Sequence, residues 1–280
     1  MNFANLHMHS IYSDGTSTPQ ELIDKAIDAK ISAIALTDHN TVDGLPSFVS
    51  AANGKNIDII LGSEFSTDYK GKELHILALF IDPKHFEVIS KLMDDVIIRK
   101  EKSYIDLIVS LSQAGFELNY EEIKATTPNG KINRAHIATA MMKKGYVSSV
   151  NEAFKTYLSK SGVYYKEPPR INVFEMLDFI KSIGAVSVLA HPFLNLSKDE
   201  LLEFLPIAKQ GGLVGMECYY SLYDENTTAT SLSLANKFGL LPSGGSDFHG
   251  SRKPDIELGI GKGNLKIPYE WYKSLKEKAI

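Results

Sequence analysis

Seven short aliphatic and β-branched runs, near residues 3–8, 32–37, 57–63, 74–80, 185–190, 213–219 and 240–244, punctuate this chain. Amphipathic stretches near 19–30, 45–54, 173–183, 198–210, 227–238 and 268–278 lie between and after them. Strands that alternate with helices over short joins pair mainly in parallel, because a parallel partner is reached only through a crossover. About seven such strands predict an α/β fold with a closed or nearly closed barrel; an open doubly wound sheet is the alternative. Cap chemistry marks the helix starts. Thr18-Pro19-Gln20-Glu21 offers a capping Thr, a Pro at the first helical position and a Glu that reaches back. Asn172 with Glu175, and Ser197 with Glu200, repeat the spacing, and Gly184 and Gly239 sit where helices should stop.

The alternation is interrupted once. From Asp82-Pro83 a long amphipathic helix is expected through about 114, then shorter helical pieces near 119–126, 133–144 and 150–159. Ile105, Ile108, Val109 and Leu111, then Ile137, Ala140 and Met141, recur at steps of three and four. Because strand–helix alternation resumes afterwards, residues 84–166 are expected to be a helical insertion capping the active site of a barrel built from 1–83 plus 167–280. The insertion carries 13 Lys/Arg and 9 Asp/Glu, a net of +4, whereas the rest holds 17 and 25, a net of −8. An acidic body can concentrate metal ligands and a basic segment can meet an anion; two solvated surfaces are the plainer reading.

The formal charge of −4 argues against a large nucleic-acid face, so no long nucleic acid is expected. No apolar run reaches the roughly 18–20 residues that cross a bilayer, so no membrane is expected either. The first residues have neither a basic region nor an apolar one of the kind that directs export, and the cytoplasm is the default. Cys218 is the only cysteine, which excludes an intramolecular disulfide and a thiolate-rich zinc site. Any metal site must be built from imidazole and carboxylate.

Those groups are present where the apolar runs end. His7 and His9 close the first strand, and a period of two turns both imidazoles to one face with Met8 opposite. His39 follows the second strand, Glu64 the third, His191 a later one, and Asp247 and His249 the last. Parallel strands share one carboxyl end, so these side chains should converge there. His75 lies early in its strand. A turn near Lys70-Gly71 would pair Ser66 with His75 and place Glu64 diagonally from His75 on the same face. Any one of these histidines is readily read as a core or capping group. Six of the eight in the chain, with Asp14, Glu64 and Asp247, at strand ends together are not. Such a nitrogen and oxygen set suits Zn²⁺, Mn²⁺ or Fe and has room for more than one ion.

His7-Met8-His9-Ser10 with Ser13-Asp14-Gly15, Thr37-Asp38-His39-Asn40-Thr41, Gly62-Ser63-Glu64, Leu189-Ala190-His191-Pro192 and Gly245-Ser246-Asp247-Phe248-His249 resemble the motifs of the PHP (polymerase and histidinol phosphatase) superfamily. The resemblance runs through essentially the whole chain. It implies a distorted seven-stranded (β/α) barrel with two or three divalent metal ions. Carried over, the family pattern gives one ion to His7, His9, Glu64 and Asp247, a second to Glu64, His75 and His191, and a third to Asp14, His39 and His249. Many members have His where Asp14 stands; Asp here, with the long insertion, resembles the branch of nucleoside 3′,5′-bisphosphate phosphatases and 5′-3′ exoribonucleases. Asn40 replaces an Asp frequent after the Asp-His pair. The stretch Asn133-Arg134-Ala135-His136-Ile137-Ala138 is similar to one in which Arg and His reach the substrate phosphate, which implies that role for Arg134 and His136. Solvated or partly buried side chains are the alternative there, and also for Arg252 and Lys253 just past the last ligands. Glu217, ending a strand on the active face, is expected to touch a ligand or the substrate, and Cys218 to do neither.

The function expected is hydrolysis of phosphate esters of nucleotides (3′,5′-bisphosphonucleotides, nucleoside monophosphates or short oligoribonucleotides) by a metal-bridging hydroxide, with His191 or Asp247 protonating the leaving oxygen. An amidohydrolase-type barrel also begins with His-x-His and ends with Asp, but commonly uses a carbamylated Lys at a middle strand end, where this chain has none. A catalytically silent regulatory PHP module would be expected to have lost ligands, and here all nine positions are filled.

Overall fold

The computed structural model describes residues 2–127, 132–159, 162–166 and 168–280. Glu167, the expected first residue of the returning barrel segment, lies outside the described residues. Two compact units divide the chain: Met1–Lys91 with Arg170–Ile280, and Leu92–Pro169.

The first unit is built on strands β1 (Phe3–Asn5), β2 (Ile31–Leu36), β3 (Asp58–Tyr69), β4 (Lys72–Leu79), β5 (Ile171–Asn172), β6 (Val186–Leu189), β7 (Gly215–Tyr220), β8 (Leu241–Gly245) and β9 (Ile267–Pro268). Their order in the sheet is β8-β7-β6-β4-β3-β2-β1-β9, with β5 beside β3. The ends of that order meet. Leu6 N–H donates to Gly244 O at 3.0 Å, Asp247 N–H to His7 O at 3.0 Å and His9 N–H to Phe248 O at 2.9 Å, which all but closes the sheet into a barrel. The seven longer strands coincide with the seven apolar runs of the sequence.

The short β9 pairs antiparallel with β1, and β4 is antiparallel to both β3 and β6, its pairing with β3 being the hairpin expected from the sequence. The reason is local: Lys70 and Gly71 take φ of 51° and 80°, the paired left-handed geometry of a two-residue hairpin turn, so no crossover intervenes. The register pairs Ser66 with His75 and Tyr69 with Lys72.

Helices α1 (Pro19–Asp28), α2 (Leu45–Ala52), α7 (Val173–Ser182), α8 (Lys198–Gln210), α9 (Glu225–Lys237) and α10 (Tyr269–Lys276) belong to this unit. Reciprocal capping boxes start α1 at Thr18 and α8 at Ser197. Asn172 caps α7 by accepting from Phe174 N rather than from Glu175, a tighter arrangement than the spacing suggested. Ala4, Leu6, Ala33, Ala35, Ile60, Leu77, Leu79, Val186 and Val188 form one buried cluster, joined by Tyr272 and Leu275 of α10. Apolar packing fills most of the sheet, and the imidazoles and carboxylates gather at one end of it.

The helix α3 (Phe86–Gln113) leads out of the first unit into the second, which holds α4 (Tyr120–Ala125), α5 (Arg134–Lys143) and α6 (Val150–Thr156). Its core contains Tyr104, Leu107, Ile108, Leu111, Ile137, Met141, Ala153 and Leu158. Ile105 and Val109, expected on the apolar face, are 40% and 49% exposed. The buried stripe of α3 is 104, 107, 108 and 111, one helical face set by a period of 3.6.

Candidate metal centre

Every group at the barrel's carboxyl end is positioned by a strand or by the few residues beyond it. β1 stops at Asn5, but its backbone continues in the closing hydrogen bonds, so His7 and His9 keep their extended alternation. Their Nε2 atoms lie 3.1 Å apart. Gly245 lets β8 come up against His7. A Cβ there would collide with the Cβ and backbone nitrogen of His7. β2 continues past Leu36 to His39, which bridges in parallel to Glu64. Asn40 follows at φ 51°, a conformation Asn tolerates, and its side chain accepts from Ser66 N at 3.0 Å and donates to Ser66 Oγ at 3.2 Å. The Asn that replaces the family's Asp therefore ties the His39 loop to β3.

Glu64 is the hub of the cluster. It is 1% exposed, and its Oε2 lies 3.1 Å from His7 Nε2, 3.2 Å from His9 Nε2 and 3.2 Å from His39 Nδ1. Its Oε1 lies 2.8 Å from His75 Nδ1 and 3.0 Å from His191 Nε2. Asp247 Oδ1 lies 3.1 Å from His9 Nε2 and 3.6 Å from His7 Nε2. On the other side of His9, Asp14 Oδ1 approaches His249 Nε2 at 3.2 Å, His9 Nδ1 at 3.7 Å and His39 Nε2 at 3.9 Å. Three groups of donor atoms lie within 4.8 Å of one another: His7, His9, Glu64 and Asp247; His9, Asp14, His39 and His249; and His39, Glu64 and His75. The nine residues singled out from the sequence as ligands thus come together at one end of the sheet, and His9, His39 and Glu64 are each shared between groups.

Four buried atoms in this cluster, Glu64 Oε2, His9 Nδ1, His39 Nδ1 and His191 Nδ1, have no hydrogen-bond partner among the described residues. Buried polar atoms are almost always partnered, because leaving one unpaired costs about 1–3 kcal/mol. Imidazole nitrogens and carboxylate oxygens gathered within 4.8 Å of one another in each group, with no thiolate among them, form the donor set that divalent cations such as Zn²⁺, Mn²⁺ and Fe²⁺ take. The residues fit metal ions.

The protonation chemistry of the metal-free cluster is set by the same contacts. Burial alone would lower His9, but Asp247 and Glu64 beside it raise its pKa to about 9. Burial likewise opposes the rise of His75, which Glu64 and Glu73 carry to about 10. His39 goes the other way, to about 4, because burial outweighs Glu64 and the neighbouring His9 and His75 repel its charge. Burial works to raise Glu64 and Asp247, but the surrounding imidazoles hold both well below the ordinary carboxylate range.

Further residues brace the ligands. Glu217, fully buried, lies 3.0 Å from His7 Nδ1 through Oε1 and accepts the backbone N–H of His191 at 2.7 Å through Oε2. Tyr220 donates to Asp247 Oδ2 at 2.9 Å, and Lys253 donates to the same oxygen at 2.7 Å. Asp38 accepts from Ser10 N at 2.8 Å, Ser10 Oγ at 2.6 Å and Ser13 Oγ at 2.5 Å, which fixes the loop that carries Asp14. Tyr220 was not legible in the sequence. A bulge between Glu217 and Tyr219 breaks the strand's period of two, so counting from Glu217 puts Tyr220 on the wrong face. Cys218 is buried, its thiol 3.6 Å from Met216 O.

Arg134 and His136 lie in the second unit, at the first turn of α5. The Arg134 guanidinium donates to Leu158 O at 3.0 Å and stacks 4.6 Å from the Tyr165 ring centroid and 5.7 Å from that of Phe154. His136 completes a capping box, its Nδ1 accepting from Asn133 N–H at 3.2 Å.

The PHP domain family profile matches residues 5–166, more than half of the 280-residue chain. The chain belongs to the PHP family. Among its relatives, a 5′-3′ exoribonuclease of Haemophilus influenzae is 30% identical over 246 residues, 88% of this chain and 89% of the relative. A 3′,5′-nucleoside bisphosphate phosphatase of Chromobacterium violaceum is 29% identical over 261 residues, 91% of this chain and 90% of the relative. The crystal structure of a metal-dependent phosphoesterase from Bifidobacterium adolescentis superposes with a TM-score of 0.76 at 26% identity, covering 100% of this chain and 97% of that one. This PHP protein is a metal-dependent phosphoesterase with the family's barrel, as its motifs implied. No helix among the described residues is long and apolar enough to cross a membrane.

Proposed function

We propose that this PHP enzyme hydrolyses phosphate esters of nucleotides, among them 3′,5′-bisphosphonucleotides, nucleoside monophosphates and short oligoribonucleotides, at a centre of two or three divalent ions. The observation that carries the reading is the meeting of His7, His9 and His39 nitrogens on Glu64 Oε2, a buried carboxylate oxygen with no hydrogen-bond partner among the described residues. The substrate class is supported by the relatives, one called an exoribonuclease and another a nucleoside bisphosphate phosphatase.

In this reading His7, His9, Glu64 and Asp247 hold one ion, Glu64, His75 and His191 a second, and Asp14, His39 and His249 a third. The donor set suits Mn²⁺, Zn²⁺ or Fe²⁺. Such ions, when bound, offset charge on phosphoryl oxygens and bring the pKa of water down to about 7. The chain's own residues orient and transfer protons. Glu217 and the paired Tyr220 and Lys253 fix the rings and carboxylates that would ligate. His191 is proposed to protonate the leaving oxygen, since Asp247 is engaged through both of its oxygens.

The helical insertion is proposed to cap this site and to bind substrate phosphate through Arg134 and His136. No carboxylate among the described residues lies in ion-pair range of Arg134, which leaves its charge for an anion. With Nδ1 accepting from Asn133, His136 carries its proton on Nε2, a donor suited to phosphate. A lone buried Cys218 thiol suits a reducing compartment, and the proposal places the enzyme in the cytoplasm.

The test is phosphate release, with Mn²⁺ present, from a 3′,5′-bisphosphonucleotide, a nucleoside monophosphate, a short RNA oligomer and histidinol phosphate. Preference for the nucleotide substrates supports the reading; preference for histidinol phosphate overturns its substrate class.

A further inference from the structure

Glu217 meets His7 on the ring nitrogen opposite the one that faces Glu64. It is 0% exposed, and each of its oxygens is committed to a different element. Oε1 takes the Nδ1 side of His7 at 3.0 Å, and Oε2 takes the main-chain N–H of His191 at 2.7 Å. The two partners serve different parts of the centre. His7 presents Nε2 to Glu64 Oε2 and Asp247 Oδ1, while His191 presents Nε2 to Glu64 Oε1.

Both contacts decide something a ligand needs decided. An imidazole that ligates through Nε2 must carry its proton on Nδ1, and a carboxylate accepting from Nδ1–H fixes that tautomer and the plane of the ring. His191 has φ 26° and ψ 55°, a sparsely populated conformation for a non-glycine residue. Such a backbone persists only where its surroundings over-determine it. The Glu217 oxygen on its N–H supplies that determination, against the extended backbone that the following Pro192 favours.

We propose that Glu217 is a positioning residue that sets two ligands of two different metal positions at once, the tautomer of His7 and the backbone of His191. The inference rests on the reading of the cluster as a metal centre. Glutamine cannot replace the carboxylate. Its single carbonyl oxygen can accept from His7 or from His191, but its amide NH₂ only donates, so one contact is lost whichever way the side chain turns.

The test measures metal binding directly. Metal-free wild-type protein and Glu217→Gln are titrated with Mn²⁺ and Zn²⁺, with bound metal counted by elemental analysis and the melting temperature of each metal-free form recorded. A loss of roughly 10–100-fold in metal affinity, with the metal-free melting temperatures within a few degrees of each other, is expected. A proton NMR spectrum of zinc-loaded wild-type protein gives a second reading that needs no variant to fold: the His7 Nδ1–H resonance is expected in the downfield, hydrogen-bonded region. Equal affinity and stoichiometry in the two proteins, or a His7 protonated on Nε2 in the loaded protein, overturns the inference while the metal centre stands. A wild-type protein that binds no metal overturns both.

Discussion

Glu64 and His75 are eleven residues apart in the chain, yet Glu64 Oε1 and His75 Nδ1 are 2.8 Å apart. The hairpin turn at Lys70-Gly71 is the cause, since it pairs Ser66 with His75 and leaves Glu64 on the adjoining diagonal position of the same face. The other oxygen of Glu64 faces His7 and His9 after β1 and His39 after β2, so one side chain links ligands carried by β1, β2, β4 and, through His191, β6.

That position makes Glu64 the most costly single residue to change. Glu64→Gln keeps the shape but loses the charge that five imidazoles share. Its kcat is expected to fall at least about 100-fold, beyond the range typical of outer partners of a ligand, and the bound metal count to drop. Circular dichroism should be unchanged. Full activity in this variant contradicts the scheme.

Metal binding should release protons. His9, with a pKa raised to about 9, and His75, raised to about 10, carry protons at neutral pH in the metal-free protein and must lose them to ligate. Metal affinity is therefore expected to rise with pH between about 6 and 9. Calorimetry in two buffers of different ionisation enthalpy should give different apparent heats. The same shifts act on stability. Both histidines are raised above the unfolded value of about 6.5, so their stabilisation of the metal-free fold is complete below that pH and lost as pH climbs through 9–10. Metal-free protein should melt at a lower temperature at pH 10 than at pH 7.

Gly245 is held by steric necessity. Its added methyl would meet the His7 backbone, which is itself part of the barrel closure. Gly245→Ala is expected to cost about 1–3 kcal/mol of unfolding free energy, as overpacked cores do, and to weaken metal binding by displacing His7. Chemical denaturation with metal removed isolates the first effect. A variant as stable as the parent contradicts the close approach.

The Cys218 thiol should be inert in the folded protein. Burial pushes its pKa up to about 12, with Glu217 adding to the rise, and the side chain is fully enclosed. Alkylation by iodoacetamide at pH 8 is expected to be roughly 10³-fold slower than for an ordinary thiol, since only the thiolate reacts. Reaction at an ordinary rate before denaturation contradicts that burial.

The strands, the helix starts and the hairpin were legible because each is a local signal: a period of two, a capping spacing, a turn that needs left-handed backbone. The convergence of His7, His39, His191 and Asp247 followed from strand direction alone. Two kinds of feature were not legible. The bulge before Tyr219 turns Tyr220 towards Asp247, and nothing in the residues Glu217-Cys218-Tyr219-Tyr220 announces it. Ile105 and Val109 satisfy a helical spacing but face outwards, because a long helix with apolar residues on more than one side does not reveal which side is covered. The Asn40 departure from the family pattern became intelligible only with Ser66 beside it, a contact made across two strands.

The most direct measurement is phosphate release from a 3′,5′-bisphosphonucleotide by protein whose bound metal has been counted, before chelation, after it, and after Mn²⁺ is restored. The account predicts two or three ions per chain, activity that disappears with them, and recovery when they return. Undiminished release from metal-free protein, or silence on every nucleotide phosphate in protein that holds its ions, would contradict it.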